Sequence, residues 1–243
     1  MQITLDIETL PTANHAVIAD ITEQVNEKIG KEIAAIRAPG NYGAEAAAKW
    51  LIEKGQPAID ALKASAAAEI DQAVRKTGLD GSFGRVCVVG IAVNDEPPQM
   101  LFSDTDEKSV LIALNSALTK AVVGNEFTCT FIGHNIVSFD LRFLVQRFIV
   151  NGIRPCVSLA RASQAKPWDA DKVYDTMTQW AGNGGRISLD RLCRALSIES
   201  PKGDITGATV YDAVLAGRIH NVAEYCERDI EATREVFKRM TFQ

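Results

Sequence analysis

No stretch of the 243-residue chain stays apolar for the roughly 18 to 20 residues that a membrane-spanning helix needs, so no membrane span is expected. The first residues carry neither a basic segment nor an apolar core with a small-residue cleavage site. No secretory leader is therefore expected, and a cytoplasmic location is. The five cysteines, Cys87, Cys129, Cys156, Cys193 and Cys226, are scattered and form no C-x-x-C pair. That spacing argues against a structural zinc site and against a disulfide framework, and fits reduced thiols. A basic excess is missing as well. The net charge is -5, which argues against tight, non-specific binding along a long duplex. No internal repeat is evident. What remains, 47% hydrophobic and 23% charged, is the composition of a globular protein with one large domain, or one domain carrying a sizeable insertion.

Residues 2–8 read as a strand, because Ile3, Leu5 and Ile7 alternate with Thr4, Asp6 and Glu8. Residues 85–93, RVCVVGIAV, form a β-branched run suited to a sheet interior. A turn at Asp95-Glu96-Pro97-Pro98 leads into a third strand, QMLFSD. Residues 107–123 place Val110, Leu111, Leu114, Leu118 and Val122 on one helical face. TCTFIGHN reads as a fourth strand. SFDLRFLVQRFIVNG reads as a helix capped by Ser138 and closed by Asn151-Gly152. The rest is expected to be mainly helical, at about 171–181, 188–196, 207–216 and 221–240.

Between the first two strands lie some seventy alanine-rich, helix-prone residues. A strand hairpin needs a connection of only a few residues, so residues 12–82 are expected to be a helical insertion. Its first helix, about 20–37, carries Ile21, Val25, Ile29, Ile33 and Ile36; a break follows at 39–43, and a later helix covers about 57–76. Packing on the sheet, guiding a substrate and forming an oligomer contact all remain open roles for it.

Acids on apolar elements carry the chemistry. Asp6 and Glu8 are two apart on a strand, so both point to one face. Two like charges there repel and are costly to desolvate. A divalent cation is the simplest compensation, since Mg²⁺ and Mn²⁺ prefer hard oxygen ligands. Taken alone, D-x-E fits a solvated edge strand better, because the pattern is common. Asp140 opens a helix among Phe139, Leu141, Phe143 and Leu144, and alone it fits a carboxylate at a helix dipole. Tyr225 and Asp229, spaced i, i+4, share one face of the last helix, and alone they fit an ordinary surface contact.

Together, D-x-E on a first strand, then GHNIVSFD, then Y-x-x-x-D on a last helix, resemble the DEDDy-type 3′–5′ exonucleases of the RNase H-like superfamily. The sister branch would need a histidine five residues before Asp229, where this chain has Glu224. The segments VYDTMTQWAG and ISLDRLCRALSIESPKGDITGATVYDAVLAGRIHNVAEYCERD look most like the predicted phage and prophage exonucleases related to the exonuclease domain of family-B polymerases. APGNY and TGLDGSFGRV also resemble segments of phage members.

The resemblance implies an α/β fold, a mixed central sheet flanked by helices, with 1–243 a single exonuclease domain and 12–82 inserted between strands one and two. It implies that Asp6, Glu8, Asp140 and Asp229 hold two divalent cations, Mg²⁺ or Mn²⁺, and that Tyr225 orients the attacking water. The implied substrate is the 3′ end of single-stranded DNA or RNA, with DNA favoured, and the products are nucleoside 5′-monophosphates. Thr9 and Leu10 would meet the terminal nucleotide, Leu10 as an apolar surface under the base. Asn135 would contact the sugar–phosphate, and Lys202 a phosphate. His134 is expected to be a structural or secondary contact, Asp175 a helix-start cap, and Trp168 and Trp180 core or surface packing residues. From Gly133 to His220, 11 Lys and Arg face 8 Asp and Glu, so the acidic whole tolerates an anionic substrate locally. The competing expectation is a catalytically silent nucleic-acid-binding or scaffolding module of the same fold, which would have no reason to keep all five polar groups. An endonuclease on the same sheet would lack Y-x-x-x-D.

Overall fold

The computed structural model describes all residues of the chain except Pro167 and Lys202. Five strands form one sheet in the order β3-β2-β1-β4-β5. They are β1 (Gln2–Leu10), β2 (Arg85–Val93), β3 (Gln99–Phe102), β4 (Thr130–Gly133) and β5 (Val173–Asp175). β1 and β2 pair antiparallel, as do β2 and β3, while β4 and β5 run parallel to β1 and to each other. β1 outlasts its expected end by two residues because it stays paired with β2 to Leu10↔Arg85. The helical stretch expected from 171 begins instead with β5. Val173 and Asp175 pair with Phe131 and Gly133 of β4, and a three-residue strand fixed by pairing leaves almost no periodic signal.

The alternation in β1 divides the core. Ile3, Leu5 and Ile7 pack among Val110, Leu111, Leu114, Leu118, Leu141, Phe143, Leu144 and Phe148. Those residues belong to α4 (Glu107–Ala121) and α5 (Asp140–Val150). α6 (Val157–Ala162), unforeseen from the sequence, adds Leu159 and Ala162 to the same cluster. On the opposite face Leu10, Cys87, Val88 and Ala92 pack with Ala213 of α9 (Val210–Leu215) and with Val222, Cys226 and Ile230 of α10 (Ile219–Thr241). A third cluster joins α10 to α8 (Leu189–Ala195) through Leu192, Cys193 and Val236.

A separate compact unit spans Pro11–Gly78. It holds α1 (His15–Ala35), α2 (Ala44–Trp50), a π-helical turn at Leu51–Gly55, and α3 (Gln56–Lys76). Within it, the Thr12 N–H donates to the Thr77 hydroxyl over 2.8 Å, so the two ends of the excursion lie side by side.

Candidate active site

β1 sets the first two acids on the α10 side of the sheet, and α10 supplies the third. One carboxylate oxygen from each of Asp6, Glu8 and Asp229 lies within 4.8 Å of the others. Such closeness requires a helix seated hard on the strands. Gly90, the β2 partner of Asp6, makes this possible. A Cβ there would collide with Ile230 and come 3.2 Å from Cys226 Sγ, both on α10. Two buried thiols hold the same strand from its flanks. Cys226 Sγ lies 3.7 Å from the Asp6 carbonyl, and Cys87, the extra residue at the bulge opposite Glu8/Thr9, donates to the Glu8 carbonyl over 3.3 Å. Neither cysteine nor the glycine has a signature that the sequence alone could reveal.

Asp140 comes from the other side. The last β1–β4 pair is Thr4↔Ile132, and Ile7 lies beyond it. Its N–H donates to Asp140 Oδ1 over 3.1 Å. The chain reaches Asp140 through a tight reversal in which Asn135 adopts a left-handed backbone (φ 65). The Asn135 carbonyl accepts from Ser138 N and Phe139 N. Ser138 does not cap α5, contrary to expectation. The cap position is Phe139, with no side-chain hydrogen bond.

Asp175 organises the reversal. Its carboxylate, 1% exposed, caps α7 (Thr176–Ala181) by accepting from Met177 N and Thr178 N. It also accepts from Asn135 N at 3.0 Å and Val137 N at 3.1 Å. The expected cap is therefore also the clamp on the loop before Asp140. His134 is anchored at both ring nitrogens, by Thr176 Oγ1 and by the Ile187 carbonyl, each at 2.9 Å. A carbonyl only accepts, so Nε2 carries the proton of the neutral ring, and the Thr176 hydroxyl, which also lies 3.2 Å from the Gly133 carbonyl, has one proton to share between that carbonyl and Nδ1. Burial pushes its pKa down, in keeping with that neutral form.

The acids are held against their preferred charge. Burial raises Asp6 well above the usual carboxylate range, and the charges of Asp140, Glu8 and Asp229 add to it. Glu8, 8% exposed, is raised by burial and then by Asp229 and Asp140. Asp140 is pushed up to about 7, chiefly by burial, against the pull of its backbone hydrogen bonds. Asp229 is pushed up to about 6 by burial, while the Tyr225 hydroxyl and Arg228 hold it lower. Asp6 Oδ2 is buried and has no hydrogen-bond partner among the described residues. An orphaned carboxylate oxygen beside two further carboxylates is a hard, anionic donor set, and it fits a divalent cation. Tyr225 is hydrogen-bonded to Asp229, and burial followed by that negative charge pushes its own pKa far up.

The expected substrate residues fare unevenly. Thr9 is half-buried at the end of β1. Leu10 is 1% exposed, packed against Cys87, Val88 and Val222, so it offers no surface to a base. The even face of β1 turns toward α10, and Leu10 shares it. Asn135 sits at the reversal between β4 and Asp140, half-buried. Lys202 lies outside the described residues. Trp168 and Trp180 lie at the surface rather than in the core, at 73% and 46% exposure.

The model of one protein family, described as predicted 3′–5′ exonucleases related to the exonuclease domain of PolB, matches residues 103–243. No curated protein matches the chain. Among solved structures, the family B DNA polymerase from the hyperthermophilic archaeon Pyrobaculum calidifontis is similar, with a TM-score of 0.54 over 98% of this chain. The identity is 12%, and the chain spans 24% of that polymerase's length, so the likeness concerns the fold alone. The five-stranded mixed sheet with flanking helices is an RNase H-like α/β fold.

Proposed function

This chain belongs to the predicted 3′–5′ exonucleases related to the exonuclease domain of PolB, and we propose that it is itself an active, metal-dependent 3′–5′ exonuclease. The substrate is the 3′ end of single-stranded nucleic acid, DNA in preference to RNA, and the product is a nucleoside 5′-monophosphate. The observation that carries this reading is the convergence of Asp6, Glu8 and Asp229 within 4.8 Å, with Tyr225 hydrogen-bonded to Asp229. A scaffold that had lost its chemistry would gain nothing from three mutually repelling, half-desolvated carboxylates.

Asp6, Glu8 and Asp229 would hold the cations, with Asp140 contributing from the Ile7 side. Two Mg²⁺ or Mn²⁺ ions bound there would supply a nucleophilic water at neutral pH and neutralise the attacking and leaving oxygens of an in-line displacement at phosphorus. The rest is positioning by the chain. The Tyr225 hydroxyl donates a hydrogen bond to Asp229, which leaves the phenolic oxygen to accept from the attacking water and fix its direction. A phenol whose pKa is pushed up cannot act as base near neutrality, so orientation is its role. Asn135, held at its backbone by Asp175, reaches the terminal sugar–phosphate, and Thr9 lines the same end of β1. Lys202 supplies a phosphate contact from the segment before α9. The whole chain works as one exonuclease domain, and residues 12–82 are a helical insertion within it.

The test uses 5′-labelled single-stranded DNA and RNA with Mg²⁺ or Mn²⁺. A ladder shortening from the 3′ end, faster on DNA, is expected, and Asp6→Ala should abolish it. Full-length substrate persisting with both metals would overturn the assignment.

A further inference from the structure

A cleft of about 210 Å³ opens beside the first turn of α5, lined by Leu79 and Asp80 on one wall and by Ser138, Phe139, Arg142 and Gln146 on the other. Ser138 and Phe139 immediately precede Asp140, so the cleft lies at the N-terminal end of α5, the end that carries Asp140. Its volume is below the roughly 300 Å³ where small-molecule pockets begin. It therefore suits one unit of a longer strand better than a free metabolite.

The wall opposite α5 is built in advance. Arg147 donates to the Gly81 and Ser82 carbonyls at 3.1 and 3.4 Å. Its guanidinium is fixed by Glu107 at 2.9 and 2.8 Å, with both side chains 8% exposed. Glu107 in turn accepts from Val86 N at the start of β2 and from Asn151 Nδ2. Asp80 Oδ1 accepts from Ser82 N at 2.9 Å, which closes the loop on itself. A buried, fully hydrogen-bonded pair of this kind gives one arrangement of the loop.

Arg142 is the cation of this cleft. It is exposed and, unlike Arg147, forms no hydrogen bond or ion pair among the described residues. Asp80 does not pair with it. An exposed, unpaired guanidinium at the mouth of a preformed cleft is matched in geometry by a phosphate, which accepts a bidentate fork. The exposed Ser138 hydroxyl stands on the same wall as a second donor.

Resting on the exonuclease reading, we propose that this cleft receives the phosphodiester just upstream of the scissile one, gripped by Arg142 and Ser138, with Leu79 lying against the adjoining sugar. Leu79, 72% exposed, is otherwise an unexplained apolar side chain at the rim. The cleft thereby selects a polymer end over a free nucleotide ester.

The test compares wild type with Arg142→Ala and Arg142→Lys. Binding of a labelled single-stranded oligonucleotide is followed by anisotropy across a salt series, with calcium replacing magnesium. Arg142→Ala should weaken binding by about tenfold or more, as expected for a hydrogen bond to a charged group. It should also flatten the dependence of log affinity on log salt by about 0.7, one single-strand phosphate. Arg142→Lys should keep the salt slope but lose part of the affinity, since the fork is gone. Cleavage of the p-nitrophenyl ester of thymidine 5′-monophosphate, which has no upstream phosphate, should be unchanged in both variants. Unchanged oligonucleotide affinity and salt slope, no wild-type binding, or equal losses on both substrates would each overturn the proposal. If wild type binds the strand but cleaves neither substrate, the nuclease assignment falls, and the binding series still decides the cleft.

Discussion

The Ile7 amide donates to Asp140 Oδ1 over 3.1 Å, tying the strand between its two acids to the helix that carries a third. The contact spans 133 positions in sequence and is buried. It makes Asp140 both a charge of the site and a support for the strand, and the two roles separate by mutation. Asp140→Asn keeps an acceptor for Ile7 and removes a charge. Its thermal stability should be equal to or above that of wild type, and exonuclease activity should be lost. Asp140→Ala strands a buried N–H and should cost about 1 to 3 kcal/mol as well. Thermal melts and the labelled-strand assay distinguish the two. Equal destabilisation by both substitutions would show that the hydrogen bond is not what Asp140 contributes to the fold.

The raised acids predict an unusual pH dependence in the chelated protein. With Asp140 near 7 and Asp229 near 6 against an ordinary 3.8, the native state binds protons more tightly than the unfolded one. Stability is then highest at the acidic end of this window and declines as pH rises from about 4 to about 7. The melting temperature in EDTA should therefore fall between about pH 5 and about pH 7. Mg²⁺ or Mn²⁺ at the upper pH should restore it, because a ligand that binds only the native state stabilises it. A melting temperature that rises across that range in EDTA would contradict the electrostatics described for the cluster.

Tyr225→Phe removes a hydroxyl bonded to Asp229 and leaves the ring in place among the residues of the α10-side core. The fold should persist. The rate should fall by roughly ten- to a hundredfold, the equivalent of one hydrogen bond to a charged group. Single-turnover cleavage with saturating enzyme measures it. A full-rate variant would remove Tyr225 from the mechanism.

Gly90→Val tests whether the seating of α10 sets the site. The added methyls meet Ile230, Met100 and Cys226, and overpacking of this kind costs about 1 to 3 kcal/mol. Because Asp229 rides on α10 beside Ile230, activity should drop at temperatures where denaturant curves still show a folded protein. Activity that tracks the folded fraction would mean the helix tolerates the displacement.

Much of the sheet is legible without the structure. β1, β2 and the amphipathic α4 announce themselves by period, and β1 even reveals that Asp6 and Glu8 share a face. The failures are local and physical. β5 is three residues long and exists because β4 lies beside it, so no propensity could separate it from α7. Ser138 has the residue type of a cap, yet its turn is closed by the Asn135 carbonyl, and the neighbouring N–H groups go to Asp175. Leu10 follows the acids in sequence, which suggested a surface beneath a base, but its side chain follows the even face of β1 into the packing with Val222 and Ile205.

By itself the sequence determined the alternation that puts two acids on one strand face, the i, i+4 pairing of Tyr225 with Asp229, and the order of motifs along the chain. Those are properties of neighbours, set by backbone period. Tertiary structure alone decided that the acids form a cluster, with Asp229 brought to Asp6 and Glu8 by a helix seated over Gly90. It also decided that Arg142 faces a preformed cleft. The physical reason is separation: the thiol of Cys226 meets the carbonyl of Asp6 across 220 residues. A contact of that range depends on how closely packed side chains let a helix approach a sheet, which no local pattern encodes.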